Sequence, residues 1–256
     1  MTPKLFDPVT IGTLTLRNRL MRSATAERLA DPITGAPLLR LQDLYRTLAE
    51  GGVGLIVTGH AYVLPGGKCH PEMASIAEDA LVAAWRDTIR PAQERGARVM
   101  LQINHSGAGC DPAVNPDPVS PSGVATNELV QPRAMNEQEL LAIVQAFGQA
   151  ARRVREAGFD GVQLHGAHGY LISQFLMPGT NVREDAWGGD AVRRRAFLQA
   201  VVREVRRQVG ADYPVWIKLG VASCERMGLA AAAGAEGAAA CRDWGVGCVE
   251  ISNAAG

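Results

Sequence analysis

The stretch of sequence that decides the fold runs from Gly161 to Tyr170 and reads GVQLHGAHGY. Its first half is a short apolar run of the kind that forms a buried strand. The segment before it predicts a helix, because Asn136 with Glu139 three residues later makes a capping box. Apolar residues recur along that segment at helical spacing, namely Leu140, Val144, Phe147, Ala151 and Val154. A helix followed at once by a buried strand is the repeating unit of α/β proteins.

The same helix–strand unit recurs along the chain. Further apolar runs occupy residues 19–23, 53–58, 98–104, 215–219 and 248–252, and helical patterns occupy 39–50, 80–95, 191–209 and 237–244. Because the runs are mostly apolar rather than cleanly alternating, they indicate a parallel sheet buried on both faces. About six strand–helix units are present, which predicts a (β/α) barrel or a doubly wound sheet.

Most of the predicted strands end in polar residues. In a parallel barrel the carboxyl ends of the strands meet at one mouth, where the following loops build the active site. The long segment 106–135, rich in Pro, Gly, Asn and Ser, follows a strand and is expected on the same face. The polar ends are Ser23-Ala24-Thr25, Thr58-Gly59-His60, Gln102-Ile103-Asn104-His105, His165-Gly166-Ala167-His168-Gly169-Tyr170, Lys218 and Ser252-Asn253.

Each of these polar groups also has a purely structural interpretation. Gln102 could be an amide at the edge of the core, and Tyr170 a packed aromatic side chain. His165 and His168 could cap a helix or bind a metal, but their i,i+3 spacing without a carboxylate between them argues against metal, and no metal site is predicted. Lys218 is harder to assign to packing, because a buried ammonium needs an anion or a carbonyl oxygen.

Composition limits the classes of function. The chain has 256 residues, and 26 Lys plus Arg are balanced by 26 Asp plus Glu, so binding to nucleic acid or to an anionic membrane is not expected. No signal peptide or membrane-spanning run is expected either.

The five cysteines form no Cys-x-x-Cys pair, which argues against a metal cluster and indicates a reducing, cytoplasmic location. Cys69 and Cys110 lie in loops without an identifiable base partner, so neither is expected to be a nucleophile. We expect one domain over residues 1–256.

Taken in order, these motifs resemble the Old Yellow Enzyme family of FMN-dependent ene-reductases and NADH:flavin oxidoreductases. The resemblance is carried by residues 5–8, 18–19, 23–25, 51–58, 102–107, 158–171, 174–176, 216–219 and 249–252. It implies an α/β fold of the eight-stranded (β/α) TIM-barrel type with FMN at its mouth. Because only about six of the eight units are counted, the chain is expected to be an incomplete barrel, shortened at its C-terminus relative to the family.

The resemblance also implies which residues hold the cofactor. Ala24, Thr25 and Gly59 would lie against the isoalloxazine ring through backbone contacts. Gln102 would bond the pyrimidine edge of the ring, which offers both donors and acceptors and therefore suits an amide. Lys218 would lie near flavin N1 and O2, where a positive charge stabilises the reduced, anionic ring. In the family the phosphate is held by loops after strands seven and eight, which are not counted in this chain.

For the reaction, the resemblance implies that NAD(P)H reduces the flavin and that a small electrophilic alkene then takes its place. His165 and His168 would donate hydrogen bonds to the carbonyl or nitro oxygen of this acceptor, and Tyr170 would give a proton to its α-carbon. Two other readings stay open: a non-catalytic or truncated relative with weak or no FMN binding, and a Schiff-base barrel lyase that uses Lys218. Whether the protein forms a homo-oligomer also stays open.

Overall fold

The computed structural model describes residues 4–126 and 128–255, and within them six parallel strands form one curved sheet. The strands are β1 (Val9–Ile11), β2 (Leu14–Leu16), β3 (Met21–Arg22), β4 (Leu55–Tyr62), β5 (Ala74–Ser75), β6 (Arg98–Asn104), β7 (Val119–Ser120), β8 (Arg133–Ala134), β9 (Gly161–Gly166), β10 (Val215–Ser223) and β11 (Cys248–Ala255). The helices are α1 (Leu39–Glu50), α2 (Leu81–Gln93), α3 (Glu137–Glu156), α4 (Leu171–Leu176), α5 (Ala191–Arg194), α6 (Ala196–Val209) and α7 (Ala231–Asp243), with a 3₁₀ turn at Pro65–Gly67.

The order of strands in the sheet identifies the fold. The sheet runs β3-β4-β6-β9-β10-β11, so neighbours in space are also neighbours along the chain, and the short β5 pairs with β4 off this path. Every connection along the path carries at least one helix. A doubly wound sheet would reverse its strand order at a switch point, whereas a (β/α) barrel keeps it. The predicted incomplete (β/α) barrel is therefore confirmed, and the doubly wound alternative is excluded.

The sheet is buried on both faces, as predicted, but by two different kinds of contact. Along β10, Val215, Ile217 and Leu219 belong to the large apolar cluster formed with the surrounding helices. The alternate residues Trp216 and Lys218 point to the inside of the barrel, because successive side chains of a strand face opposite ways. At the amino ends of the strands the inner residues are apolar, which is why the alternation is hard to see in the sequence.

An antiparallel hairpin of β1 and β2 covers the amino end of the barrel interior. Leu14 and Leu16 of the hairpin form a separate apolar cluster with inward residues of three barrel strands, Leu55 and Val57 of β4, Met100 of β6 and Trp216 of β10. This cluster leaves the carboxyl end of the interior as the polar end. Among the described helices, the longest has 20 residues, and none is both long and apolar enough to cross a lipid bilayer.

Two predicted helices differ in their bounds. The helical pattern 191–209 is divided at Arg195, whose N–H donates to the carbonyl of Val192, an i→i−3 bond that tightens the turn between α5 and α6. The predicted helix 237–244 begins earlier, at Ala231, since the preceding alanines strongly favour helix. The other predictions agree closely: α1 has the predicted bounds, and Asn136 and Glu139 form the predicted capping box of α3.

Helix α7 can approach the sheet closely because it carries glycine at the contact. A Cβ atom at Gly234 would overlap the carbonyl oxygen of Val221 in β10, whereas a Cβ at Gly237 would meet only Arg195 Cδ, at 3.9 Å.

We therefore expect opposite effects from two single-methyl changes in this helix. Gly234→Ala places a methyl group against the Val221 carbonyl, so the helix and the strand must move apart, and the free energy of unfolding should fall by about 1–3 kcal/mol. Gly237→Ala adds helix propensity without a clash and should raise it by about 0.5–1 kcal/mol. Urea denaturation of the two variants and the wild type measures both. Equal stability of the two variants would contradict the close contact of α7 with β10.

Candidate active site

The strand register places a row of polar side chains inside the barrel. Gln102 of β6 pairs with Gln163 of β9, and Lys218 of β10 pairs with Glu250 of β11. Gln102 Nε2 donates to Gln163 Oε1 at 2.8 Å, and Gln163 Nε2 donates to Glu250 Oε2 at 2.9 Å. These hydrogen bonds connect β6, β9 and β11 across the interior, and the ion pair of Lys218 with Glu250 adds β10.

Lys218 is the charged centre of this row and is only 4% exposed. Its Nζ lies 3.2 Å from Glu250 Oε1 and donates to Ser23 Oγ at 2.7 Å and to the Ala24 carbonyl at 3.3 Å. Ser23 in turn donates to Glu250 Oε1 at 2.6 Å. The buried ammonium thus has the anion and the carbonyl oxygen that its desolvation demands. These bonds also join the segment that follows β3 to β11. Strands β3 and β11 are the first and the last strand in the order of the sheet.

The Glu27 carboxylate binds the backbone of Gly59, one of the residues that the resemblance places against the flavin ring. The carboxylate accepts hydrogen bonds from Arg22 Nη1 at 2.6 Å, from Tyr45 Oη at 3.0 Å and from the Gly59 N–H at 2.9 Å. A Cβ at Gly59 would overlap both this carboxylate and the Thr25 carbonyl oxygen, so only glycine fits. Gly59 and Thr25 therefore lie together, and the Gly59 N–H is already bonded to Glu27.

The turn between β9 and α4 places His165, His168 and Tyr170 against one another. The His165 ring centroid lies 5.1 Å from that of His168 and 4.9 Å from that of Tyr170. His168 adopts a left-handed backbone conformation with φ 59°, and its N–H donates to the Asn253 carbonyl of β11. The same strand contributes a side chain as well, since His168 Nε2 is 2.7 Å from Ser252 Oγ.

Burial fixes the protonation states of these three side chains. Burial, with a smaller contribution from nearby imidazoles and Lys218, holds the pKa of His165 well below its usual value. Burial and Lys218 also lower the pKa of His168, while burial raises the pKa of Tyr170 far above that of an exposed phenol. At neutral pH both imidazoles are therefore neutral and the phenol keeps its proton.

Tyr170 and His168 open onto a cleft of about 390 Å³ at the carboxyl end of the sheet. The long segment 106–135 forms one wall of the cleft, as predicted, through Gly109, Cys110, Asp111 and Thr126. A larger groove of about 550 Å³ lies beside the hairpin at the opposite end, around Arg98 and Tyr213, and holds none of the predicted site residues. The cleft at the carboxyl end is therefore the candidate active site.

Several residues of the site were not among the predicted ones. Glu250 and Gln163 each lie between apolar neighbours in a strand, the same signal that drew attention to Lys218. No sequence signal marks Glu27. The expectation that Cys69 has no base partner is wrong, because Cys69 Sγ lies 3.9 Å from Nε2 of His60 and equally far from Tyr170 Oη. The sequence could not show this, since the thiol and the imidazole belong to different segments.

In (β/α) barrel enzymes the active site lies at the carboxyl ends of the strands, where the loops supply the reacting groups. The fold and the polar cleft therefore place the chain in this class of barrel enzymes. The profile of the NADH:flavin oxidoreductase / NADH oxidase family matches residues 4–255. The chain belongs to this family.

Relatives and solved structures agree with this assignment. The chain is 39% identical over 217 residues to an NADH oxidase of Thermoanaerobacter brockii, covering 83% of this chain and 33% of the relative. It is 38% identical over 213 residues to a probable NADH-dependent flavin oxidoreductase of Bacillus subtilis, covering 81% and 57%. Morphinone reductase in complex with tetrahydroNAD superposes with a TM-score of 0.86 at 29% identity, covering 98% of this chain and 74% of that one. The chain thus spans a third to under two thirds of the length of these two curated relatives.

The cofactor of this family is FMN, and the interior has groups that fit its ring. Gln102 is buried, and its Oε1 accepts no hydrogen bond from the described residues, which suits a ligand that offers an N–H. Thr25 is exposed at the same mouth. Counterparts of the seventh and eighth barrel units, where the resemblance places the phosphate contacts, are not among the described residues. The Schiff-base alternative lies outside this family of FMN proteins.

Removing the charge of Glu250 should destabilise the fold. Glu250→Gln keeps the shape of the side chain but leaves the buried Lys218 ammonium without its anion, which should cost about 3 kcal/mol of unfolding free energy. Asp243→Asn removes a carboxylate from an exposed pair with Arg242 and should have no measurable effect. Denaturant unfolding of both variants tests this, and a Glu250→Gln protein as stable as Asp243→Asn would contradict the role given to the buried pair.

Proposed function

We propose that this chain carries the flavin and substrate site of an FMN-dependent oxidoreductase that passes hydride from NAD(P)H to an activated, enone-like C=C bond. The observation that supports it is that His165, the strand partner of Lys218, packs against both His168 and Tyr170, and that the latter two line the cleft. When bound, FMN supplies the hydride carrier, through N5 of its ring. The protein supplies binding, orientation and proton transfer.

The two histidines are the proposed holders of the acceptor oxygen. Nδ1 of His165 accepts a hydrogen bond from the Ala167 N–H at 3.3 Å, so the neutral ring carries its proton on Nε2. That Nε2–H is available as a donor. His168 is exposed and lines the cleft, and Ser252 orients its ring. Hydrogen bonds to a carbonyl or nitro oxygen draw electron density from the conjugated C=C bond and make its β-carbon a better hydride acceptor.

Tyr170 is the proposed proton donor to the α-carbon. Its phenol keeps its proton at neutral pH because burial raises its pKa, and it lines the cleft and packs against His165. A positioned acid of this kind contributes about 10²–10⁴-fold to a protonation step.

Lys218 and Gln102 are the proposed partners of the flavin ring. The Lys218 ammonium is fixed by Glu250, Ser23 and Ala24 and therefore needs no reorganisation to present positive charge at the mouth. Gln102 is held by Gln163 through its Nε2, which leaves Oε1 for a ligand N–H. Ala24, Thr25 and Gly59 are proposed to lie against the ring, with Glu27 fixing the backbone at Gly59.

Small conjugated acceptors are the proposed substrates. Solved structures that superpose on the chain include morphinone reductase and a 2-naphthoyl-CoA reductase complex with 2-naphthoyl-CoA, the latter with a TM-score of 0.91 and 26% identity, covering 97% of this chain and 40% of that one. A cleft of about 390 Å³ falls within the range of volumes of small-molecule sites in proteins.

The proposal predicts a flavoprotein with two separable half-reactions. Protein purified in the presence of FMN should keep a yellow flavin absorption after gel filtration, lose it on anaerobic addition of NADH or NADPH, and regain it on addition of cyclohexenone. A colourless protein that cannot be reconstituted with FMN would overturn the proposal and favour a non-catalytic relative. Flavin that NAD(P)H reduces but no alkene reoxidises would overturn only the proposed acceptor.

Tyr170→Phe should separate the two half-reactions. It removes the proton donor but neither histidine, so reoxidation by cyclohexenone should slow by about 10²-fold or more while reduction by NAD(P)H is unchanged. Tyr213→Phe is the matched control, because its buried hydroxyl bonds only the Phe159 carbonyl at the other end of the sheet. Stopped-flow absorbance measures both steps. Equal slowing of both half-reactions would show that Tyr170 is not the proton donor.

A further inference from the structure

A group of three potential metal ligands lies next to the site and has no part in the proposed reaction. His60 is in β4, and Cys69 and His70 follow the 3₁₀ turn after that strand. One ligand atom from each of these residues, which we name the His-Cys-His cluster, lies within 4.8 Å of the other two. Cys69 Sγ and His60 Nε2 are 3.9 Å apart, and a tetrahedral zinc ion would hold such a sulfur and nitrogen about 3.5 Å apart.

The cluster contains buried polar atoms that have no partner. None of the described residues makes a hydrogen bond to either buried ring nitrogen of His70 or to buried Oε2 of Glu72, whose nearest cation is Arg28 at 4.0 Å, and the His70 side chain is only 12% exposed. Buried nitrogens without partners are rare in folded proteins, because each forfeits its hydration. An ion between the three side chains would satisfy His70 directly.

Two further side chains are placed to orient the imidazoles. Glu72 Oε2 lies 3.6 Å from His70 Nδ1, so the carboxylate favours a proton on Nδ1 and leaves Nε2 as the ligand. Asn104 Nδ2 is 3.0 Å from His60 Nδ1, while Asn104 Oδ1 is buried without a partner. A half-turn of that amide lets Oδ1 accept from Nδ1–H of His60, which frees the Nε2 lone pair toward Cys69. Ligating histidines in metalloproteins are oriented by acceptors of this kind.

We propose that His60, Cys69 and His70 bind one zinc ion through two imidazole nitrogens and a thiolate. Two nitrogens and one soft sulfur suit zinc and exclude the oxygen-seeking magnesium and calcium ions. Cys69 and His70 also line the cleft, together with Tyr170, so the ion is reachable from solvent. Three protein ligands leave a fourth position for water or for an oxygen of a small molecule in the cleft.

Zinc binding must release one proton. Burial lowers the pKa of His60 to about 3 and also lowers the pKa of His70, so both imidazoles are already neutral at pH 7. Burial raises the pKa of the Cys69 thiol to about 11, so without metal the sulfur keeps its proton. Formation of the zinc–sulfur bond therefore sends the thiol proton to solvent.

The full chain, loaded with FMN where it binds, is dialysed against Zn²⁺ and then studied by metal analysis and by X-ray absorption at the zinc edge. We expect one zinc per chain, with one sulfur at about 2.3 Å and nitrogen ligands at about 2.0–2.1 Å. Cys69→Ser should lose the sulfur signal and bind zinc at least about tenfold more weakly, and Glu72→Gln should weaken binding about 10- to 100-fold while keeping the sulfur.

Cys110→Ser is the matched control, since Cys110 is a neighbouring thiol that is equally buried and lies outside the cluster. It should keep both the zinc and the sulfur signal. If Cys69→Ser does not fold, the wild type is alkylated with and without zinc, and its peptides are analysed by mass spectrometry. Zinc should protect Cys69 from alkylation and should not protect Cys110. Zinc bound without sulfur, equal binding by Cys69→Ser, or no protection of Cys69 would overturn the proposal. None of these outcomes depends on flavin binding or turnover.

Discussion

The buried ion pair between Lys218 and Glu250 is the interaction on which the site depends. Both groups lose water inside the barrel, and the charge of each is compensated by the charge of the other. Ser23 joins the pair from the segment after β3, and Gln163 joins it from β9. One charged pair therefore connects strands from both ends of the sheet path and fixes the groups proposed to face the flavin ring.

The division of the barrel interior into two halves gives this pair its setting. The amino half is filled by an apolar cluster under the hairpin, and the carboxyl half is lined by amides, carboxylates and imidazoles. Apolar filling excludes water below the pair and strengthens every polar contact above it. The mouth can hold polar groups because the helices, packed on the outer face of the sheet, supply most of the hydrophobic stabilisation.

The turn after β9 brings the three proposed reacting side chains close together. His165 is held by its strand, His168 by the carbonyl of Asn253, and α4 begins with the Leu171 N–H bonded to the His105 carbonyl. Strand β11 and the segment after β6 therefore help to set the positions of the three proposed reacting side chains. Strand β4 and the segment that follows it carry the His-Cys-His cluster, which lies at the same mouth. The proposed redox reaction and the proposed zinc ion would therefore share one cleft.

The sequence by itself determined the strand–helix succession, the capping box of α3 and the importance of the His165–Tyr170 stretch, because these depend on local periodicity, capping and a specific motif. It also marked Lys218, since a cation among apolar strand residues needs a partner. The partner itself, Glu250, and the contacts of Glu27 with Gly59 and of Cys69 with His60 were decided only by the tertiary structure. They join residues on different elements, and their distances depend on strand register and barrel curvature, which no local pattern encodes.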